Sequence, residues 1–307
     1  MIKGLLPLLI ILNLNAHSQR FEYVYRNPSD SSHNCYLKVI PNTKEMKGLI
    51  VRDYSNLPDV TKSSPYGFLD LCTQAGYMTL YTNTSTQFPE LFTQDSTMAL
   101  LDQIIHEVLE DHQIPKGSLF LGGISASGSR ALRFAEYCAS GKSDLKISGV
   151  FAVDSPLDLT RFYNSAKNHR SNFKEGMLWE ADWMLPLFQK LFNGSPDEFP
   201  MAYQDASVFS ANDSLGGQAF KLKSTPIILF HEPDIDWWLN ERGATYYDFN
   251  SYDLAGFTLC LQQLGNTDIT LITTTGKGFD RKGNRNCHSW TIVDEELLVN
   301  WIVDHTE

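Results

Sequence analysis

Three things that would each point to a function are missing from this sequence. Basic clusters are absent: 36 acidic residues outnumber 25 basic ones, for a net charge of −11. Such a chain has no general attraction for nucleic acid or an anionic membrane surface, so nucleic acid is not an expected partner. Cysteine is scarce and scattered, at Cys35, Cys72, Cys138, Cys260 and Cys287. There is no C-x-x-C pair, no H-E-x-x-H and no clustered His/Asp spacing, so neither a metal nor another cofactor is expected. An odd cysteine count leaves at least one thiol outside any intrachain disulfide.

Long apolar runs are also lacking, apart from one at the start. MIKGLLPLLIILNLNAHSQ has a basic residue, Lys3, then an apolar stretch from Gly4 to Leu14. Ala16 and Ser18 follow at the small-residue positions of a cleavage site. This pattern reads as a secretory signal peptide over residues 1–18, cut after Ser18. The apolar stretch falls short of the roughly 20 residues a membrane span needs. The mature chain, 19–307, is therefore expected to be secreted or periplasmic, with no membrane span.

What is present is an alternation of two periodicities. LKVIP (37–41), GLIVRDY (48–54), GYMTLYT (76–82) and SLFLGG (118–123) are short, apolar and rich in β-branched residues, as buried strands are. KISGVFAV (146–153), PIILF (226–230) and DITLITT (268–274) continue the series. Between them, STMALLDQIIHEVLEDH (96–112) carries Leu100, Leu101, Ile104, Ile105, Val108 and Leu109 at helical spacing. Further helices are predicted over 127–140, 251–264 and 294–305. Strands buried on both faces and alternating with helices predict an α/β fold with a mostly parallel sheet, in a single domain. Residues 160–223 break the rhythm, dense in aromatics and interrupted by Pro186, Pro196 and Pro200. A helical insertion there would form a cap over a site at the strand C-termini.

LFLGGISASGSRAL (119–132) is where strand must become helix. An abrupt turn around one residue needs small side chains two positions to either side, and Gly123 and Ser127 flank Ser125 in that way. This small-x-Ser-x-small pattern is that of a nucleophile elbow. Ser127, flanked by Ser125 and Ser129, is the alternative, but it would lie well inside the helix. A serine hydroxyl needs a base, and the base an orienting carboxylate. Asp234 and Asp236 follow the strand PIILF, and His288 sits in NCHSW ahead of the last helix.

LGGISASGSRAL resembles the elbow of the α/β-hydrolase superfamily, and the order of elements resembles that family from about residue 37 onward. The resemblance implies Ser125 as nucleophile, His288 as general base and acid, and Asp234 as the orienting acid, with Asp236 the runner-up. It also implies an oxyanion hole formed by the backbone N–H groups of Ala126 and of a residue near Tyr54. His231, on its strand, is expected to be structural. Two departures stand out: Ser127 replaces the commoner glycine, and RDYSN (52–56) stands where a His-Gly dipeptide is often found. The implied activity is ester hydrolysis on a small molecule with an apolar or sugar-like part. A peptidase, an acyltransferase and a non-catalytic binding protein on the same scaffold are the alternatives.

Overall fold

The computed structural model describes residues 19–27, 33–59, 67–85 and 95–306, so the signal segment 1–18 lies outside the described residues. Eight strands form one sheet: β1 (Arg20–Tyr25), β2 (Cys35–Ile40), β3 (Gly48–Asp53), β4 (Tyr77–Asn83), β5 (Leu119–Ile124), β6 (Gly149–Val153), β7 (Ile227–His231) and β8 (Ile269–Thr273). Their spatial order is β1-β2-β4-β3-β5-β6-β7-β8. β1 and β2 run antiparallel to their neighbours, and β3 to β8 are parallel. β1 has no signature in the sequence, because its residues are exposed or half-buried and carry no apolar run.

The helices are α1 (Gly67–Gln74), α2 (Asp95–His112), α3 (Ala126–Ala139), α4 (Leu159–His169), α5 (Glu175–Leu191), α6 (Pro200–Ala206), α7 (Ser251–Gln263) and α8 (Glu295–Asp304). Side chains alternate across a strand, so each central strand feeds two cores. Leu49, Val51, Leu119, Leu121, Val150, Ala152, Ile227 and Leu229 point to one face, under α2, α3 and α7. Ile50, Phe120, Phe151, Val153, Ile228 and Phe230 point to the other, under α1 and α8. Burial on both faces is why these strands read as unbroken apolar runs.

Between β6 and β7 the chain forms α4, α5 and α6 around a core of their own, centred on Phe188, Tyr163, Phe192 and Tyr203. Pro186 lies inside α5 and Pro200 in the first turn of α6. Asp158 starts α4 by accepting the Thr160 and Arg161 N–H groups. This unit is tied to the main body by Arg161, which donates to both oxygens of Asp253 on α7, at 2.8 and 2.5 Å. Asp253 is fully buried and also accepts the Leu157 and Asp158 N–H groups. Removing it strands two amides and leaves the Arg161 guanidinium with only neutral acceptors, the Asp248 carbonyl and Asn250 Oδ1. Asp253→Ala is expected to lower unfolding free energy by about 3 to 5 kcal/mol in denaturant titration, whereas a loss below about 1 kcal/mol would mean the tie is weak.

Candidate active site

β5 ends at Ile124 and α3 begins at Ala126, so Ser125 alone makes the turn. It does so at φ 57°, ψ −133°, a conformation L-residues rarely adopt, with a cost on the order of 1–3 kcal/mol. Backbone hydrogen bonds hold it there: Ser125 N–H donates to Val153 O at 2.8 Å, and its carbonyl accepts from Gly128 and Ser129 at 3.0 and 3.2 Å. Small neighbours are obligatory. A Cβ at Gly123 would meet Ser127 Cβ at 2.6 Å, and one at Gly128 would meet Ser155 Oγ at 2.1 Å. Ser127 is buried in α3, and the buried Ser129 hydroxyl donates to Pro156 O at 2.5 Å. Of the three serines, Ser125 faces a cavity.

β-sheet register supplies the next residue. Ile124 pairs with Val153, and Val153 with Phe230, so Ser125, Asp154 and His231 follow at the ends of three adjacent parallel strands. Asp154 has no exposed surface and also sits at positive φ, 43°. Its Oδ1 accepts from His231 Nδ1 at 2.9 Å and its Oδ2 from His288 Nδ1 at 2.5 Å. Asn250 Nδ2 donates to its carbonyl oxygen at 2.9 Å and to Oδ1 at 3.2 Å. Burial pushes the Asp154 carboxyl upward, but the two imidazoles hold it well below the usual carboxylate range. An ionised carboxylate only accepts, so both histidines present Nδ1–H to it. That leaves Nε2 of His288 as the ring atom able to take a proton. The Nε2 of His231 is already engaged by the Ser251 hydroxyl.

Ser125 and His288 line one cavity of about 240 Å³. Its walls include Phe162, Met177, Trp179 and Glu180 from the β6–β7 insertion, and Trp238 and Arg242 from the segment after β7. His288 packs edge-on against Trp238 and its backbone N–H donates to Asn286 Oδ1 at 3.1 Å. Burial pulls the His288 pKa down, but the Asp154 charge and hydrogen bond outweigh it, with a smaller push from Glu180, so it lies above the ordinary value of 6.5.

No protein-family model matches the chain, and neither does any curated protein. Among solved structures, it is similar to a fungal esterase of Rhizomucor miehei (TM-score 0.59, 12% identity, 95% of this chain and 84% of that one). A carboxyl esterase of Tuber melanosporum gives a TM-score of 0.57 at 12% identity, covering 94% of this chain and 88% of the other. Pyrococcus horikoshii acylaminoacyl peptidase gives 0.58 at 14% identity, covering 99% of this chain. The chain spans only 44% of that peptidase's length. The chain has the α/β-hydrolase fold.

Within the α/β-hydrolase fold, the residues anticipated from sequence fall in different places. Ser125 and His288 line the same cavity. Asp234 does not join them. It caps the turn at 235–237 by accepting the Trp237 N–H at 3.0 Å, and it accepts from Arg285 Nη2 at 2.8 Å. The hydrogen bond from Trp237 and the Arg285 charge hold its carboxyl below the usual range despite partial burial. Asp236 is exposed on the same turn. Proximity to a strand end chose the wrong strand, since the carboxylate that reaches His288 follows β6 rather than β7.

Tyr54 also falls elsewhere: its N–H continues the sheet by donating to Thr82 O at 2.9 Å, so it is not available to an oxyanion. Ala126 opens α3 directly behind Ser125, where N–H groups face the turn. His231 is buried, as a structural residue is, but its partner is Asp154 itself.

Glu232, Asp234 and Cys287 approach closely enough to resemble a cation ligand set. Arg285 already fills that role, bonding both carboxylates, and burial pushes the Cys287 thiol up to about 12, far from the thiolate a metal needs. Among the described residues no disulfide forms.

NMR titration of the His288 ring tests the pairing. Its pKa is expected above 6.5 in the wild type and lower in Asp154→Asn, because the neutral amide removes the charge that favours imidazolium. A value unchanged in Asp154→Asn, or one that instead follows Asp234→Asn, would contradict it.

Proposed function

We propose that the chain is an exported serine hydrolase that cleaves carboxylic esters through an acyl-enzyme, with Ser125 as nucleophile, His288 as general base and Asp154 as orienting acid. One observation carries this: a serine held on a strained turn shares a cavity with a histidine whose Nδ1 is fixed on a buried carboxylate. Export rests on Lys3, the apolar stretch and the Ala16/Ser18 positions. The fold shared with esterases and with a peptidase supports acyl transfer from either an ester or an amide. An ester is the easier substrate, since its carbonyl is less resonance-stabilised than an amide's and an alkoxide leaves more readily than an unprotonated amide nitrogen.

Ser125 Oγ attacks the acyl carbon as its proton passes to His288 Nε2. The carbonyl oxygen becomes an oxyanion facing the Ala126 N–H at the start of α3. Collapse expels the leaving alkoxide, which takes the proton from His288. Water then attacks the acyl carbon, giving His288 a proton that returns to Ser125 Oγ as the acid departs. Asp154 stays ionised throughout, holding the ring's tautomer and stabilising its charged form.

Turnover of a neutral 4-nitrophenyl ester tests this assignment. Ser125→Ala is expected to abolish it, and Asp154→Asn to lower kcat on the order of 10²- to 10⁴-fold. Asp234→Asn should change kcat less than about tenfold, because the residue acts on Arg285. A larger loss from Asp234→Asn than from Asp154→Asn would contradict the assignment. The base must be neutral to accept a proton and the His288 pKa is raised, so kcat/KM should climb with pH through an inflection above 6.5. A flat profile between pH 6 and 8 would remove His288 from the base role.

A further inference from the structure

Glu180 stands out in the cavity shared by Ser125 and His288. It projects from α5 and is half-buried among Phe162, Met177 and Trp179. Among the described residues it has neither a hydrogen bond nor an ion pair. Most of the other charged groups nearby are committed. Asp248 accepts from Ser165, His169 and Thr245, and Arg161 is bound to Asp253. Arg242, also on the cavity wall, has no carboxylate partner among the described residues, and its guanidinium carbon lies 4.9 Å from the centroid of the Trp237 ring. His288 gives its Nδ1–H to Asp154.

A carboxylate brought out of water with no partner is costly, and burial raises the Glu180 pKa while His288 and Arg161 pull it back. Nothing in the proton relay needs this side chain, since Asp154 already holds His288. What would offset the cost is a cation entering from the cavity. The surrounding walls suit one: Phe162 and Trp179 line the cavity with aromatic rings, whose faces attract cations. Trp179 is 65% exposed at the rim and stacked on Trp183, so a ring face is open to an arriving ligand.

We propose that Glu180 is a specificity-determining residue, and that the preferred substrates are acyl compounds bearing a protonated amine at the end of the acyl chain. This rests on the hydrolase reading above and narrows its substrate class. The ammonium would pair with Glu180 against the aromatic walls while the acyl carbon lies at Ser125.

Three 4-nitrophenyl esters of matched length test it: heptanoate, 6-aminohexanoate and the monoester of adipate. Their chain ends are methyl, ammonium and carboxylate. The wild type should favour the 6-aminohexanoate ester over heptanoate, and Glu180→Gln should lower that preference about tenfold or more, mainly through KM. Glu180→Arg should move the preference toward adipate. A wild-type preference for adipate would overturn the proposal. So would an equal loss on all three esters in Glu180→Gln, which would mean that Glu180 acts only through His288.

Calorimetry on Ser125→Ala, which needs no turnover, separates this from failure of the hydrolase reading. There 6-aminohexanamide should bind more tightly than heptanamide, and the difference should vanish in Ser125→Ala/Glu180→Gln. Equal binding of the two amides would refute the role of Glu180 even if the esters are hydrolysed. Tighter ammonium binding without any ester turnover would uphold it and refute the hydrolase reading alone.

Discussion

Asp154 is the residue on which the site depends. A buried carboxylate is tolerable only when its charge is met by several donors. Here the donors are His288, His231 and the Asn250 side chain, drawn from the loop before α8, from β7 and from the start of α7. Satisfying one charge therefore fixes the relative position of three elements that are far apart in sequence. It also sets the histidine tautomer, because an ionised carboxylate can only accept. Oδ2 orients His288 toward the cavity, and Oδ1 is held by a second imidazole that is itself anchored on Ser251. Two histidines on one carboxylate make its geometry stiff, as an orienting group should be.

The parallel sheet brings that residue to the serine. Neighbouring strands in register deliver their first post-strand residues side by side, and the turns there are sharp. Ser125 and Asp154 both occupy positive φ, at 57° and 43°. Strain at a strand end needs support, and the hydrogen bonds from Ser125 N–H to Val153 O and from Asp154 N–H to Phe230 O provide it. The glycines at 123 and 128 make the close approach of β5 and α3 possible, and the insertion between β6 and β7 closes the cavity from the other side.

Much of this was legible in the sequence, for reasons that can be stated. Strands buried on both faces give short apolar runs with abrupt ends, so seven of the eight strands and the turn at Ser125 are legible from local pattern alone. His288 stands out in the sequence because it sits in a loop between the last strand and the last helix. The carboxylate that pairs with it does not. Asp154 follows GVFAV much as Asp234 follows PIILFHEP, and nothing local says which strand end faces the histidine. That depends on register and strand order, which are tertiary properties. Asp234 and Glu232 instead neutralise Arg285, a pairing set by a loop returning from 45 or more residues further on. The Tyr54 amide was misplaced for a similar reason: the sheet ladder runs one residue past β3 and takes that N–H. Which backbone N–H is left over at a strand end follows from pairing with the neighbouring strand.

The central claim is that Ser125 is an activated nucleophile. Incubation of the purified chain with a fluorophosphonate, followed by intact-mass measurement and peptide mapping, tests it most directly. The account requires one phosphonyl group per chain, carried on Ser125, with the rate of labelling greatly reduced in Asp154→Asn. An unlabelled wild type, or an adduct of undiminished yield in Ser125→Ala, would contradict it.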